Sequence, residues 1–201
     1  MKHILVILWL SFYTLPALAE NTILIMGDSL SAAYGMDVQS GWVSLLKDRL
    51  KQHNLDYRVI NSSISGDTTS NGLARLPKEL AAYKPSVTII ELGGNDGMRG
   101  IPISTIQKNL QKMITLVQLS NSKVIIVGLR LPPNYGEQYT TEFKLIFHTL
   151  ATLNKISLVP LFLNNVDENT HLFQSDRMHP TSEAQPIMLD NVWTVLAPLL
   201  H

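Results

Sequence analysis

The sequence predicts an α/β domain built on an open, mostly parallel sheet with helices on both faces. Five short apolar segments alternate with longer segments whose apolar residues recur at helical spacing. The short segments are rich in Ile, Val and Leu without polar alternation, which is typical of strands buried on both faces. Alternation of strands and helices along one chain indicates parallel pairing, because each helix carries the chain back across the sheet.

The predicted elements follow one another without a repeat or a low-complexity stretch. The strands are residues 22–26, 57–61, 87–92, 123–129 and 157–161, and the helices are residues 41–52, 69–83, 104–118, 140–154 and 181–199. Ser104 and Gln107 have the spacing of a capping box at the start of the third helix. Pro180 precedes the last helix, and its fixed φ suits a first helical turn.

The N-terminus predicts a cleaved secretory signal peptide over residues 1–19. A basic start at Lys2 is followed by an apolar run, residues 4–12, that is too short to span a bilayer. Small residues then precede the expected cleavage site between Ala19 and Glu20. We expect a periplasmic or secreted bacterial protein with no stable membrane insertion after cleavage, and an uncleaved anchor is the alternative.

Composition narrows the function classes. The chain has 201 residues, which suits one domain over residues 20–201, and its formal net charge is zero. No basic run predicts a nucleic-acid partner. The chain contains no cysteine, so disulfides, thiolate metal ligands and a cysteine nucleophile are excluded. We expect a monomer.

Two loop segments carry residues suited to nucleophilic catalysis. Ser29 follows the first predicted strand, and Gly27 permits a sharp turn there. Asp176 stands three residues before His179 on the loop that leads to the last helix, and this spacing lets a carboxylate orient an imidazole. Each segment alone fits a simpler role equally well, in which a polar side chain caps a helix.

Two further segments offer hydrogen-bond donors. Residues 93–97, Gly-Gly-Asn-Asp-Gly, directly follow the third strand, and the Asn95 amide can face a developing oxyanion. Gly66 follows the second strand, and no side chain shields its backbone N–H. As isolated features, both segments are also explained as ordinary turns.

Position in the fold makes the four segments significant together. Three of them follow the first three strands, and the fourth lies between the last strand and the last helix, so all project from the carboxyl edge of the sheet. We therefore expect Ser29 as nucleophile, His179 as base and Asp176 as its orienting acid. Gly66 and Asn95 are the expected oxyanion donors. This set is what acyl transfer requires.

These segments resemble the sequence blocks of the GDSL, or SGNH, hydrolase superfamily. Residues 27–30 read Gly-Asp-Ser-Leu, the block that gives the family its name. Gly66, Asn95 and His179 correspond to the other three letters, and Asp176 corresponds to the triad acid. Further similar stretches are residues 27–32, 63–68, 72–77, 91–97 and 131–136.

The resemblance runs from Ile23 to beyond Pro186. It implies a three-layer α/β/α sandwich of the flavodoxin-like type with a central five-stranded parallel sheet. It also implies hydrolysis of small-molecule acyl esters and thioesters through an acyl-enzyme, with no metal or other cofactor. The backbone N–H of Ser29 then joins the oxyanion hole. The family more often has Gly-Ile where this chain has Arg177-Met178, so specificity is expected to differ there.

Two other functions fit the same residues. One is a carbohydrate acetylesterase of the same superfamily, and the other is an inactive domain that binds lipid or glycan.

For an acyl-ester hydrolase, an apolar groove is expected for the acyl chain. Its candidate walls are Leu73, Leu76, Leu131, Pro132 and Tyr135, although ordinary loop packing explains these residues equally well.

Overall fold

The computed structural model describes residues 21–200, so the predicted signal peptide lies outside the described residues. Five parallel strands form one sheet in the order β2-β1-β3-β4-β5. The strands are β1 (Thr22–Gly27), β2 (Arg58–Asn61), β3 (Val87–Glu91), β4 (Lys123–Val127) and β5 (Ser157–Val159). The predicted five-stranded parallel sheet is confirmed, and β4 and β5 each end two residues earlier than predicted.

Helices cover both faces of the sheet and complete three layers. They are α1 (Trp42–Gln52), α2 (Thr69–Tyr83), α3 (Gly94–Met98), α4 (Ile103–Leu119), α5 (Glu137–Asn154) and α6 (Gln185–Leu196). Helices α1 and α6 pack together in one layer, while α4 packs between α2 and α5 in the other. Within residues 21–200, none of these helices combines the length and apolar character needed to cross a bilayer.

The central strands carry the core. All six residues of β1 and all five of β3 are buried, as the unbroken apolar pattern predicts for strands covered on both faces. Trp42 of α1 is completely buried and meets Phe162 edge to face, with ring centroids 5.7 Å apart. Phe143 and Phe147 of α5 make a second edge-to-face pair at 5.4 Å. These aromatic pairs anchor one helix on each face of the sheet.

Strand register aligns three loops at one edge of the sheet. β1 pairs with β2 on one side and with β3 on the other, with Ile25 opposite Asn61 and Gly27 opposite Glu91. The chain therefore leaves β1 at the point where the strand order reverses, which is where open α/β sheets form their crevices.

The capping-box prediction at Ser104 and Gln107 is wrong. Helix α4 begins at Ile103, Pro102 is its N-cap residue, and the side chains make no capping bond. The carbonyl of Pro102 accepts the N–H of Thr105 at 2.8 Å, which starts the helical ladder before Ser104 can cap it. A proline with a fixed φ defines this helix start more strongly than the spacing of two polar side chains.

Pro180 does not open the last helix. It forms an isolated antiparallel bridge with Phe173, and a 3-10 turn, Ser182–Ala184, leads into α6 at Gln185. The bridge closes the loop that carries His179 into a narrow hairpin-like turn, so Pro180 belongs to that loop.

We expect Gly128→Ala to destabilise the fold by about 1–3 kcal/mol, the usual cost of forcing atoms into a packed region. Gly128 follows β4, and an added methyl collides with the carbonyl oxygens of Pro160 and Val159, which are backbone atoms that cannot rotate away. Urea unfolding of both proteins measures the difference. Gly94→Ala is the matched control, since its methyl meets no heavy atom closer than 3.5 Å. Equal losses in the two variants contradict the packing argument.

Candidate active site

The loop after β1 presents Ser29 at the carboxyl edge of the sheet. Ser29 is half-buried, two residues beyond the end of β1. The carbonyl of Asp28 accepts the N–H of Ala32 at 2.9 Å, which closes a tight turn around the serine. Gly27 is required before this turn because a Cβ there would lie 2.8 Å from the carboxylate of Glu91.

Two hydrogen bonds connect the side chains of Ser29, His179 and Asp176. His179 Nε2 lies 3.0 Å from Ser29 Oγ, and His179 Nδ1 lies 2.7 Å from Asp176 Oδ2. The structure thus brings the three predicted catalytic residues together. When Nδ1–H donates to the carboxylate, Nε2 is left to accept the proton of the serine hydroxyl.

Main-chain donors fix the carboxylate of Asp176. Its Oδ1 accepts the N–H groups of Met178 at 2.9 Å and of His179 at 3.0 Å. Arg177, between them, has φ 57°, and this left-handed turn folds the loop back over the carboxylate. The pKa of Asp176 is lowered to about 2 by hydrogen bonds to its carboxylate. The largest effects come from the N–H and the imidazole of His179, and the next from the N–H of Met178. Asp176 is therefore an anion at neutral pH.

Two residues that line the site have backbone N–H groups without an acceptor in the described part of the chain. Ser29 and Gly66 both line a shallow depression of about 270 Å³, and their N–H groups bind no acceptor within residues 21–200. Gly66 has φ 83°, a conformation that favours glycine. Its carbonyl is held by Arg99, whose guanidinium donates at 3.1 Å. Two preorganised N–H groups are thus available to a negatively charged oxygen.

The Asn95 amide is more constrained than the sequence indicated. Its Nδ2 donates to Asp28 Oδ2 and to the main-chain oxygen of Asp67, both at 3.0 Å. An amide nitrogen has two hydrogens, so both are already used. An oxyanion must share or replace one of these acceptors.

The buried neighbour of Asn95 attaches α3 to α2. Asp96 is almost completely buried and accepts the Thr69 N–H at 2.8 Å. Its other oxygen accepts the Thr69 hydroxyl at the start of α2. Gly93 precedes α3 with φ 122°, which turns the chain sharply after β3. These contacts fix the position of Asn95 in the first turn of α3.

Two carboxyl groups lie buried beneath Ser29. Asp28 Oδ1 accepts the Leu30 N–H at 3.0 Å, and Glu91 Oε2 accepts the Ser31 hydroxyl at 2.7 Å. Burial raises the pKa of Asp28 to about 6, although its hydrogen bonds with Leu30 and Asn95 oppose the rise. Burial, and next the charge of Asp28, raise the pKa of Glu91 well above its usual range. Low dielectric therefore favours the neutral form of Glu91.

The predicted acyl walls do not line the depression. Its lining beyond the residues named above consists of Tyr34, Ser65, Met98 and Met178. Leu76 is completely buried, so its prediction as a substrate contact is wrong. Tyr135 lines a different depression at the start of α5.

Sequence reasoning missed three residues that shape the site: Tyr34, Glu91 and Gln174. The ring of Tyr34 lies 4.4 Å from the imidazole of His179, measured between centroids. The Gln174 amide donates to the carbonyls of Tyr34 at 2.8 Å and Pro180 at 3.1 Å, which joins the serine turn to the histidine loop. Loop folding alone creates these contacts, so no spacing along the chain signals them. Glu91 had a signal, since an acidic residue ends an apolar strand.

Residues 21–200 contain no group of three or more His, Asp or Glu side chains arranged to hold a metal ion.

Comparison with known proteins identifies relatives over nearly the whole chain. The model of the GDSL-like lipase/acylhydrolase family matches residues 25–186. Esterase TesA of Pseudomonas aeruginosa is 48% identical over 182 residues, 90% of each chain. Thioesterase 1/protease 1/lysophospholipase L1 of Escherichia coli is 38% identical over 194 residues, 96% of this chain and 92% of the relative. A crystal structure of TesA superposes with a TM-score of 0.87 at 48% identity, covering 90% of this chain and all of the other. The resemblance noted from the sequence is confirmed.

The variant Glu91→Gln tests whether the buried carboxyl group of Glu91 is uncharged, through the pH dependence of the free energy of unfolding. Because the pKa of Glu91 is higher in the folded than in the unfolded protein, its stabilising effect is present below the usual value of 4.5 and is lost as pH rises toward the folded pKa. We expect the free energy of unfolding of the native protein, relative to Glu91→Gln, to fall by about 1.4 kcal/mol per pH unit above that value. Urea unfolding over a pH series measures it. The exposed Glu183→Gln is the control, and a difference that stays constant with pH excludes an uncharged Glu91.

Proposed function

Because the chain belongs to the GDSL-like lipase and acylhydrolase family, we propose that it hydrolyses acyl esters and thioesters with Ser29 as nucleophile. The observation that carries the proposal is the 3.0 Å separation between Ser29 Oγ and His179 Nε2. This distance permits direct proton transfer from the hydroxyl to the imidazole.

The reaction proceeds through an acyl-enzyme. His179 takes the proton of Ser29 as Oγ attacks the acyl carbonyl, and Asp176 stabilises the resulting imidazolium without taking up the proton itself. The imidazolium then protonates the leaving alcohol or thiol. Water attacks the acyl-enzyme with His179 as base, and the acid leaves as Ser29 regains its proton.

Negative charge on the carbonyl oxygen requires donors that are already oriented. The N–H groups of Ser29 and Gly66 meet this need, because neither binds an acceptor within residues 21–200. Asn95 is the third proposed donor, and it must loosen its bond to Asp28 or to Asp67. One donor of this kind typically contributes about 3–4 kcal/mol to transition-state stabilisation.

The open shape of the depression favours several acyl substrates over one. Its lining is largely apolar around the polar centre, and no wall encloses an acyl chain. The names of the relatives indicate ester, thioester and lysophospholipid hydrolysis in those proteins. We propose the same substrate class here, in a monomer exported after cleavage near Ala19.

We expect Ser29→Ala to lower kcat for p-nitrophenyl esters by about 10⁴- to 10⁶-fold, because no other group can form the acyl-enzyme. Steady-state kinetics, with circular dichroism to verify folding, measures the loss. Ser65→Ala is the matched control, since Ser65 lines the same depression and has no proposed catalytic role. More than a few per cent residual activity in Ser29→Ala refutes the assignment. Failure of a fluorophosphonate to label Ser29 in the native protein indicates an inactive binding domain instead.

Substrate class is tested by parallel kinetics. We expect a measurable kcat/KM for acyl-CoA, lysophospholipid and p-nitrophenyl esters, because the open depression admits all three. The parameter kcat/KM is the one to compare, since it reports how well one enzyme stabilises each transition state. A series of p-nitrophenyl esters of rising acyl length then reveals any acyl groove. Indifference to length argues against a groove, and a sharp preference for acetylated sugars identifies a carbohydrate acetylesterase.

A further inference from the structure

Two exposed apolar side chains flank His179 and have no part in the proposed mechanism. Tyr34 is 50% exposed and Met178 is 48% exposed, and both line the depression that contains Ser29. A single exposed apolar residue is ordinary, but two in one depression present a joint apolar surface to a ligand.

The ring of Tyr34 contacts the imidazole of His179, and the backbone of Tyr34 is held from both sides of the site. Its centroid lies 4.4 Å from that of the His179 imidazole, at an interplanar angle of 39°. The Tyr34 N–H donates to the carbonyl of Ser29 at 3.2 Å, and its own carbonyl accepts from Gln174 at 2.8 Å. The backbone of Tyr34 is therefore fixed before any substrate binds, which reduces the entropy lost on binding.

The chemistry defines which part of a substrate these side chains meet. His179 must protonate the leaving atom, so that atom lies about 3 Å from Nε2. The carbonyl oxygen lies elsewhere, against the N–H groups of Ser29 and Gly66. A substituent on the leaving atom therefore extends along the imidazole side of the depression, where Tyr34 and Met178 lie.

We infer that Tyr34 and Met178 form the leaving-group subsite, and that this subsite favours flat aromatic leaving groups over small aliphatic ones. The inference rests on the proposed function. A half-exposed phenol ring offers a face for offset stacking, and a thioether makes favourable contacts with aromatic rings. Tyr34 is thus a specificity-determining residue that acts on acylation and not on hydrolysis of the acyl-enzyme.

The first experiment compares two esters of the same acyl group. One is a phenyl ester, and the other carries a fluorinated aliphatic alcohol of matched acidity, so intrinsic reactivity cancels. We expect Tyr34→Leu to lower the aryl-to-alkyl ratio of kcat/KM by about 2- to 10-fold, the range for one aromatic contact. Tyr34→Phe keeps the ring and should retain the native ratio.

Control variants distinguish a contact with the leaving group from a general effect on the imidazole. Val38→Ala removes an exposed apolar side chain outside the depression and should leave the ratio unchanged. If Tyr34 only covers the imidazole, Tyr34→Leu slows both esters equally, and the unchanged ratio overturns the inference. Substantial turnover by Ser29→Ala overturns the proposed function itself, whereas an inactive Ser29→Ala with an unchanged ratio in Tyr34→Leu overturns only the subsite.

A second experiment uses the native protein and does not depend on a folded variant. An added alcohol can replace water: its oxygen bonds to the acyl carbon, the bond from that carbon to Ser29 Oγ breaks, and His179 carries the alcohol proton to Ser29. This step is acylation in reverse, so the alcohol occupies the leaving-group subsite. We expect benzyl alcohol to capture the acyl group several-fold more efficiently than propan-1-ol, measured as the ratio of the two ester products. Equal capture overturns the inference.

Discussion

The rest of the site depends on the position of β1 between β2 and β3, with all three strands parallel. Their carboxyl ends align, so the turns that carry Ser29, Gly66 and Asn95 leave the sheet side by side. The ends align because the strands are parallel and in a register that pairs Ile25 with Asn61 and Gly27 with Glu91. Helices cover both faces of this sheet, and every residue of β1 is buried. The long segment after β5 then needs only to return His179 to the same edge, where the bridge at Pro180 holds its loop.

Close packing at this edge of the sheet buries two carboxyl groups next to the site. The space beside Gly27 is filled by the carboxyl group of Glu91, so a Cβ has no room there, and the carboxylate of Asp28 accepts from the amide of Asn95. Burying two carboxyl groups this close is unfavourable unless at least one remains neutral, which agrees with the raised pKa of each. Asn95 therefore has a structural role in satisfying Asp28 beside its proposed role toward the substrate, and the two roles compete for its hydrogens.

Prediction from sequence succeeded where local pattern and tertiary structure agree. Helix α2 has the predicted bounds, and the first four strands begin within one residue of their predicted starts, because burial on both faces imposes an apolar pattern that persists along each strand. Prediction failed where another local feature decided the structure. Helix α4 begins after Pro102, so Ser104 does not cap it. The glycine-rich segment after β3 forms a short helix, α3, which no apolar period indicates. Of the two explanations that the sequence allows for Leu76, a groove wall or ordinary packing, the structure supports packing, since Leu76 belongs to the core.

The sequence by itself determined the fold class and the five strands. It also predicted that Ser29, Gly66, Asn95, Asp176 and His179 act as one set, because strand order along the chain implies which loops share an edge. Only the tertiary structure decided how those side chains are held. The occupied amide of Asn95, the ring of Tyr34 over the imidazole and the bridging Gln174 arise from contacts between segments far apart in the chain. Their physical origin is the packing of loops at the sheet edge, which leaves no periodic trace in the sequence.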